Sequence, residues 1–436
     1  MSPLITRRSS FATFGAAGGL LLFGSCSRQK TAGESGGQAY VGARILADPA
    51  GSAIEDGVLL VRNGRVEHVG SKKDVAVPAG AETFDFSGKT IIPGLICGHT
   101  HISDVNGIKP REYTVENTLR QLGVFARYGI TTVLSLGGEK QPAFQLRDEQ
   151  DVETLDRARI YVAGDVITGS NPAEAREMVT RVAEMKPDWI KIRVDDNLGT
   201  GRKMSPDVYQ AVINQAHGMD LRVATHIFYL DDAKALLRAG SDMIAHSVRD
   251  KEIDQEFIDL MKERNVPYCP TFTREISTFV YETKPDFFSD PFFRQEADPE
   301  VVKQLENETS QAKYRQSKQA AGYKEGLKVA QRNLKLAADA GLLILMGTDS
   351  GATADRFEGF FEHLEMQMMV EAGMTPAAVL RSATTDAAKV LQKDQLGILS
   401  RGSWADFLVL DKNPLEDIRA TRSIREIRIA GNKVKM

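Results

Sequence analysis

The 436-residue sequence predicts an α/β protein: a (β/α)8 TIM barrel with a small β-sandwich domain built from both chain ends. Three observations predict it. Short apolar runs separated by turn residues occupy Ala39 to about Thr90 and again Asp406 to Val434. Between them, apolar strands of five to seven residues alternate with helical stretches. Several of those stretches close on a glycine just before the next strand, where a left-handed residue stops a helix without a Cβ penalty. With 42% hydrophobic and 26% charged residues, the composition excludes collagenous, low-complexity and disordered chains. The net charge of −4, from 55 Lys plus Arg against 59 Asp plus Glu, excludes a broad nucleic-acid footprint. Three Cys are too few and too scattered for a disulfide framework or a zinc-finger cage.

The first element is an address. Residues 1–25 carry Arg7 and Arg8, no acid, and a fourteen-residue apolar stretch from Phe11 to Gly24. A spanning helix needs about 20 residues, so the segment reads as a signal peptide. Arg7-Arg8 followed by Phe11 resembles a twin-arginine export signal, and Leu22-Phe23-Gly24-Ser25-Cys26 resembles a bacterial lipoprotein box. These resemblances imply export to the bacterial periplasm or cell envelope, with a lipid on Cys26 as the only membrane attachment. An ordinary secretory signal and an uncleaved anchor stay open. Residues 26–38 then form a flexible Gly/Ser/polar tether.

The second element is the β-sandwich, assigned to 39–92 and 392–436. Val58–Arg62, Asn63-Gly64 and Arg65–Val69 form a hairpin pattern, because Asn-Gly supplies the positive φ angles of a two-residue type I′ turn. Asp406–Leu410, Ile427–Ile429 and Val434 continue the style at the other end. Neither end has enough strands to stand alone. His68 falls on the exposed face of the hairpin.

The third element, 93–391, is the barrel. Its eight strands are Ile91–Ile96, Thr131–Leu136, Arg159–Ala163, Trp189–Val194, Leu221–His226, Met243–His246, Pro267–Thr271 and Leu342–Met346. Gly129, Gly218, Gly240 and Gly341 stop the helices that precede four of them. Eight such units favour a closed parallel barrel over an open sheet. No Gly-rich phosphate loop is present, which argues against nucleotide cofactors. Residues 273–330 are long for a loop and rich in aromatic residues; a lid or pocket wall and a set of packing helices are both open readings.

Chemistry concentrates at the strand ends. His99, His101, His226 and His246 all stand at the C-terminal ends of predicted strands, where barrel enzymes place their sites. Singly each is a hydrogen-bonded interior residue; together they point to metal, since neutral imidazole is its commonest ligand. In Trp189–Val194, Ile190, Ile192 and Val194 share the outer face, so Lys191 and Arg193 point into the mouth. A buried ammonium is costly, and a neutral lysine can add carbon dioxide to become a carbamate that bridges two metals. The alternative for Lys191 is a rim position or a pair with Asp195 or Asp196. Asp349, in Gly347-Thr348-Asp349-Ser350-Gly351, offers a carboxylate for a metal and for a proton; alone it reads equally as a helix cap. Arg193 and Tyr229 are the candidate substrate contacts, each with rim packing as its alternative. His217 and His363 read as structural, and Cys97 and Cys269 as buried thiols rather than a bridge.

HxH after the first strand, Lys on the fourth, His on the fifth and sixth and Asp on the eighth resemble the metal-dependent amidohydrolase superfamily. So does the Ile92-Pro93-Gly94-Leu95-Ile96 lead into His99-Thr100-His101. Lys191 resembles the binuclear branch with a carboxylated lysine, and Gly347 to Leu391 is similar to its prolidase-like and imidazolonepropionase-related members. Arg193-Val194-Asp195-Asp196-Asn197 stands where those dipeptidases carry a Gly-rich loop. The resemblance implies two divalent ions, zinc by default, with manganese or cobalt as substitutes. His99 and His101 would hold one, His226 and His246 the other, with carboxylated Lys191 between them and Asp349 on the first. It implies a small-molecule substrate with an amide bond, a dipeptide or N-acyl amino acid. It also implies that metal-activated water would attack the amide carbonyl, with Asp349 relaying the proton to the leaving amine. Hydrolysis of a cyclic amide, lactone or ester on the same site is the second enzyme reading, and a lipid-tethered binding protein is the reading outside enzymes. Oligomer formation stays open.

Overall fold

Gly94 divides the first predicted strand in two. Upstream, Thr90–Pro93 pairs antiparallel with Phe407–Leu410 from the other chain end. Downstream, Leu95–Thr100 pairs parallel with Ile130–Ser135. A Cβ on residue 94 would lie 2.1 Å from Thr131 Oγ1, so the crossing requires glycine. The computed structural model describes residues 37–435. The signal segment, Cys26 and nearly all of the tether therefore lie outside the described residues.

The two chain ends share one eight-stranded sheet. Its order runs Asn432–Lys433, Ile424–Ile429, Phe407–Leu410, Thr90–Pro93, Gln38–Ile45, Ile54–Arg62 and Arg65–Ser71, with Glu82–Asp85 beside Gln38–Ile45. Register shifts between Val41 and Ala43 and between Ala43 and Ile45 bend this strand. Its first half pairs with Glu82–Asp85 and its second with Thr90–Pro93. Asn63 and Gly64 have φ of 50° and 72°, as the type I′ turn demands. Tyr40, Leu59, Val61, Ile91, Phe407 and Val409 form a buried core against this sheet, while His68 is exposed.

The parallel body has two sheets. One orders Arg159–Val162, Ile130–Ser135 and Leu95–Thr100; the other orders Ile190–Arg193, Val223–His226, Met243–Ala245 and Tyr268–Cys269. Single parallel bridges link Ile167 to Ile192, Tyr268 to Ile344 and Thr100 to Ser350. The eighth predicted strand, Leu342–Met346, is thus reduced to the bridge at Ile344. Its backbone bonds are divided: Leu345 N–H donates to Tyr268 O at 3.0 Å, Gly98 N–H donates to Met346 O at 2.8 Å, and Met346 N–H leaves the ladder for Ser382 O. Ile190, Ile192 and Val194 pack with Val208 and Val212 of the helix Pro206–His217, which leaves Lys191 on the inner face.

Gly129, Gly240 and Gly341 stop helices with φ of 78°, 111° and 73°. Gly218 does not: its φ is −64°. The left-handed residue of that turn is Asp220, a type that tolerates it. Residues 273–330 are largely helical, with Pro291–Arg294, Pro299–Leu305, Glu308–Arg315 and the start of Ala320–Asp339 among their elements. Tyr281, Phe288 and Phe293 are fully buried, and Phe293 packs edge-on to Phe357 and Phe360 with centroids 4.8 and 5.0 Å apart. Of the two sequence readings, these aromatics take the packing role. Among the described residues, no helix is long and apolar enough to cross a membrane.

Candidate metal centre

The parallel strands deliver six polar side chains to one end. His99 is near the end of Leu95–Thr100 and His101 just beyond it; Lys191 lies within Ile190–Arg193; His226 ends Val223–His226 and His246 follows Met243–Ala245. Asp349 arrives from the turn after Ile344, its N–H donating to His99 O at 2.9 Å. Asp349 Oδ1 lies 2.9 Å from His101 Nε2 and 3.2 Å from His99 Nε2. Lys191 Nζ lies 3.0 Å from His99 Nε2. The His246 ring is 4.6 Å from that of His99 and 4.0 Å from that of His226, centroid to centroid. All six predicted ligands are therefore brought together.

The backbone is strained to achieve this. His246, its partner Thr271 and Asp349 have φ of 89°, 52° and 63°. Each such position costs about 1–3 kcal/mol and persists only where the surroundings impose it. At Gly347 a Cβ would lie 2.6 Å from Cys269 Sγ and 2.8 Å from His99 Cβ, so the Asp349 turn can close on the histidines only with glycine there. Glu362 fixes the turn from behind, accepting from the hydroxyls of Thr348 at 2.6 Å and Ser350 at 2.7 Å.

The donor set fits a divalent cation. His101 Nδ1–H donates to Gly137 O at 2.9 Å, so Nε2 is the nitrogen that faces the Asp349 carboxylate. That contact is held by a proton on Nε2 or by a cation that takes the proton's place between the two groups. His246 Nε2 is buried without a partner, as is His99 Nδ1. Ligand atoms of His99, His101 and Asp349 lie within 4.8 Å of one another, a group able to hold a metal ion. Burial lowers the pKa of Lys191 to about 8 and, with the Lys191 charge, that of His99 to about 3. Burial also lowers His101, but Asp104 and Asp349 outweigh it and hold the ring up at about 10. His226 and His246 are driven well below the ordinary histidine range, chiefly by burial. Asp349 stays well below the carboxylate range, because Arg356 and the two histidines overcome its desolvation.

Three partners of these residues were not singled out in the sequence as site residues. Arg356 donates to Asp349 Oδ2 and, through Nε, to Ser277 Oγ at 3.1 Å. Thr271 Oγ1 lies 2.7 Å from His246 Nδ1. Asp195 accepts from His226 Nε2 at 2.9 Å. The alternative pairing of Lys191 with Asp195 or Asp196 is not the one formed, since Lys191 turns to His99. Arg356 had no signal beyond lying in the turn after Asp349, whereas Asp195 stands in the charged run that departs from the Gly-rich loop.

Arg193 and Tyr229 sit at the rim and bond to none of the six. Arg193, its side chain 42% exposed, donates to Asp195 Oδ2 at 3.3 Å and also to Asn197. Tyr229 donates to Asp196 Oδ1 at 2.8 Å, with Lys203 Nζ 4.3 Å from its ring. A cleft of about 530 Å³ opens here, lined by Arg193, Asp195, Asn197, Arg202, Lys203 and Met204 among others. His363 is structural, as read: Nδ1 meets Thr421 Oγ1 at 2.9 Å and Nε2 meets Tyr128 O at 2.7 Å. His217 pairs with Asp242 at a helix end. Cys97 and Cys269 are free and buried.

An amidohydrolase family model matches residues 90–433. An uncharacterized protein of Mycobacterium tuberculosis is 25% identical over 348 residues, 77% of this chain and 82% of that protein. Ochratoxinase of Aspergillus niger is 28% identical over 231 residues, 52% of this chain but 39% of that enzyme. Among solved structures, a Xaa-Pro dipeptidase with bound methionine superposes with a TM-score of 0.72 at 21% identity, covering 92% of this chain and 100% of the dipeptidase. Aspergillus niger ochratoxinase superposes with a TM-score of 0.69 at 18% identity, covering 91% and 95%. These structures share the fold, a parallel β/α body carrying an additional β domain. From the histidine pair at the first parallel strand to the strands of the C-terminal end, this chain belongs to the amidohydrolase family.

Proposed function

We propose that the protein is a binuclear metallohydrolase that cleaves an amide bond in a dipeptide or N-acyl amino acid. The observation that carries this reading is the convergence of His99, His101, Lys191, His226, His246 and Asp349 at one end of the parallel strands. We take the strands and their bridges to be a closed (β/α)8 barrel, with 39–92 and 392–436 as its appended β domain and 93–391 as the barrel. Export and lipidation at Cys26 stay part of the proposal.

His99, His101 and Asp349 would hold one ion and His226 and His246 the other, with Lys191 carboxylated between them; zinc suits imidazole and carboxylate donors. Bound there, such ions lower the pKa of water toward about 7 and polarise the scissile carbonyl. The chain supplies the rest. Buried Lys191 loses charge readily, which favours the neutral amine that adds carbon dioxide. Asp349, anionic and aligned by Arg356, takes the proton of the attacking water and passes it to the leaving amine. Arg193, in the open cleft beside the site, offers a planar fork to a substrate carboxylate. Tyr229 adds a hydroxyl at the same rim.

The test is free-amine release from a library of dipeptides and N-acyl amino acids by the zinc-loaded protein, with Asp349→Asn as the blank. Release by the wild type alone supports the reading. Silence across the library from protein that holds two metals rejects it and leaves cyclic amides, lactones and esters as the substrates to try.

A further inference from the structure

The Asp195 side chain is fully buried, yet every bond it makes points toward the site or its rim. It lies two residues past the strand Ile190–Arg193, in the charged run Arg193–Asn197. Oδ2 accepts from His226 Nε2 at 2.9 Å and from Arg193 Nη2 at 3.3 Å, while Oδ1 accepts from the Asn197 N–H at 2.9 Å. A neutral imidazole has one N–H and one lone pair. With the proton on Nε2 and shared with Asp195, His226 keeps Nδ1 as the nitrogen available to a metal. Next to it, His246 is arranged the other way round. Its Nδ1 is engaged by Thr271 Oγ1, and its buried Nε2 has no partner. The two rings, 4.0 Å apart, thus have complementary nitrogens committed to the protein and complementary nitrogens left over.

We propose that Asp195 is a positioning residue: it fixes the tautomer and ring orientation of His226 so that Nδ1, together with His246 Nε2, forms the second half of the metal centre. The proposal deepens the binuclear reading above and rests on it. A carboxylate on the far nitrogen of a metal-binding histidine fixes the ring and raises its basicity, and losing it costs about 10–100-fold in metal affinity. With Arg193 and the Asn197 amide, three donors meet the Asp195 carboxylate, so it is held in place rather than merely tolerated. Because Arg193 also faces the open cleft, Asp195 joins a candidate substrate contact to a candidate metal ligand.

The experiment is metal competition on the full chain, titrating zinc against a chromogenic chelator, with cobalt spectra as a second readout. Asp195→Ala should weaken one of two zinc equivalents about 10–100-fold and alter the cobalt spectrum, with the other equivalent and the unfolding temperature little changed. Asp195→Asn, whose amide oxygen still accepts from Nε2–H, should recover most of that affinity, which a general packing defect would not do. His226→Ala should remove the same equivalent. Unchanged zinc affinity and cobalt spectrum in Asp195→Ala would overturn the proposal, as would equal loss of both equivalents with a collapsed unfolding temperature. If the zinc effects appear but no amide is cleaved, the substrate reading fails while this one stands; if the wild type takes up no zinc, both fail.

Discussion

The two ends of the parallel strands treat buried histidine in opposite ways. At the N-terminal ends, His363 is buried with both ring nitrogens satisfied, one by Thr421 and one by the Tyr128 carbonyl that precedes the strand Ile130–Ser135. At the C-terminal ends, His246 is equally buried, has φ of 89°, and leaves Nε2 without a partner. An orphaned buried donor or acceptor costs about 1–3 kcal/mol, and so does a strained backbone position. The protein bears both costs at the mouth and neither at His363. A histidine with two partners holds the fold together; one with a single partner and a strained backbone has the arrangement expected of the metal ligand proposed above.

Four substitutions sharpen or break this contrast. The largest effect is expected for Asp349→Asn at the mouth. Turnover should fall about 10²–10⁴-fold, the range of positioned acid–base groups, with far-ultraviolet circular dichroism unchanged. Retained turnover would remove Asp349 from the reaction. Lys191→Ala should lose metal occupancy, and a short carboxylic acid should restore part of it by standing in for the carbamate. Full occupancy of both positions, read by elemental analysis, would contradict the bridge.

Away from the mouth the expected losses are of stability alone. Arg159, wholly buried, donates to Asp406 Oδ2 at 3.1 Å and to Gln150 O at 2.8 Å, tying the third parallel strand to the end sheet. Arg159→Ala should cost about 3–5 kcal/mol in urea unfolding by stranding the Asp406 charge, with kcat/KM unchanged. His363 has the smallest and most conditional effect. Burial lowers its pKa to about 3 from 6.5, so the unfolded chain takes up a proton at a pH where the folded chain does not. Its contribution is complete above pH 6.5 and declines as pH falls toward 3. His363→Gln should flatten that part of the stability–pH curve; an unaltered slope between pH 7 and pH 5 would place the acid sensitivity elsewhere.

What could be read from the amino acids follows the same division. The cluster of His99, His101, Lys191, His226, His246 and Asp349 was legible because short apolar runs mark the parallel strands, and each of these polar residues lies within one or just past its end. The hairpin at Asn63-Gly64 was legible because its dihedrals restrict the residue types. Elements held by non-local bonds were not. The break at Gly94 depends on Thr131 and on pairing with the distant strand Phe407–Leu410, and Leu342–Met346 divides its bonds among three neighbours. Gly218 has the composition of a left-handed helix stop, yet the turn passes that conformation to Asp220. Arg356 and Thr271 reach the site through folding alone, and no local pattern marks them.

The most direct test of the central claim is amine release from the best library substrate as zinc is titrated into chelator-treated protein. The account predicts no release without metal, activity rising until two equivalents are bound, and none at any zinc level in Asp349→Asn. Full activity in the chelated protein, or none in protein holding two zinc ions with every substrate tried, would contradict it.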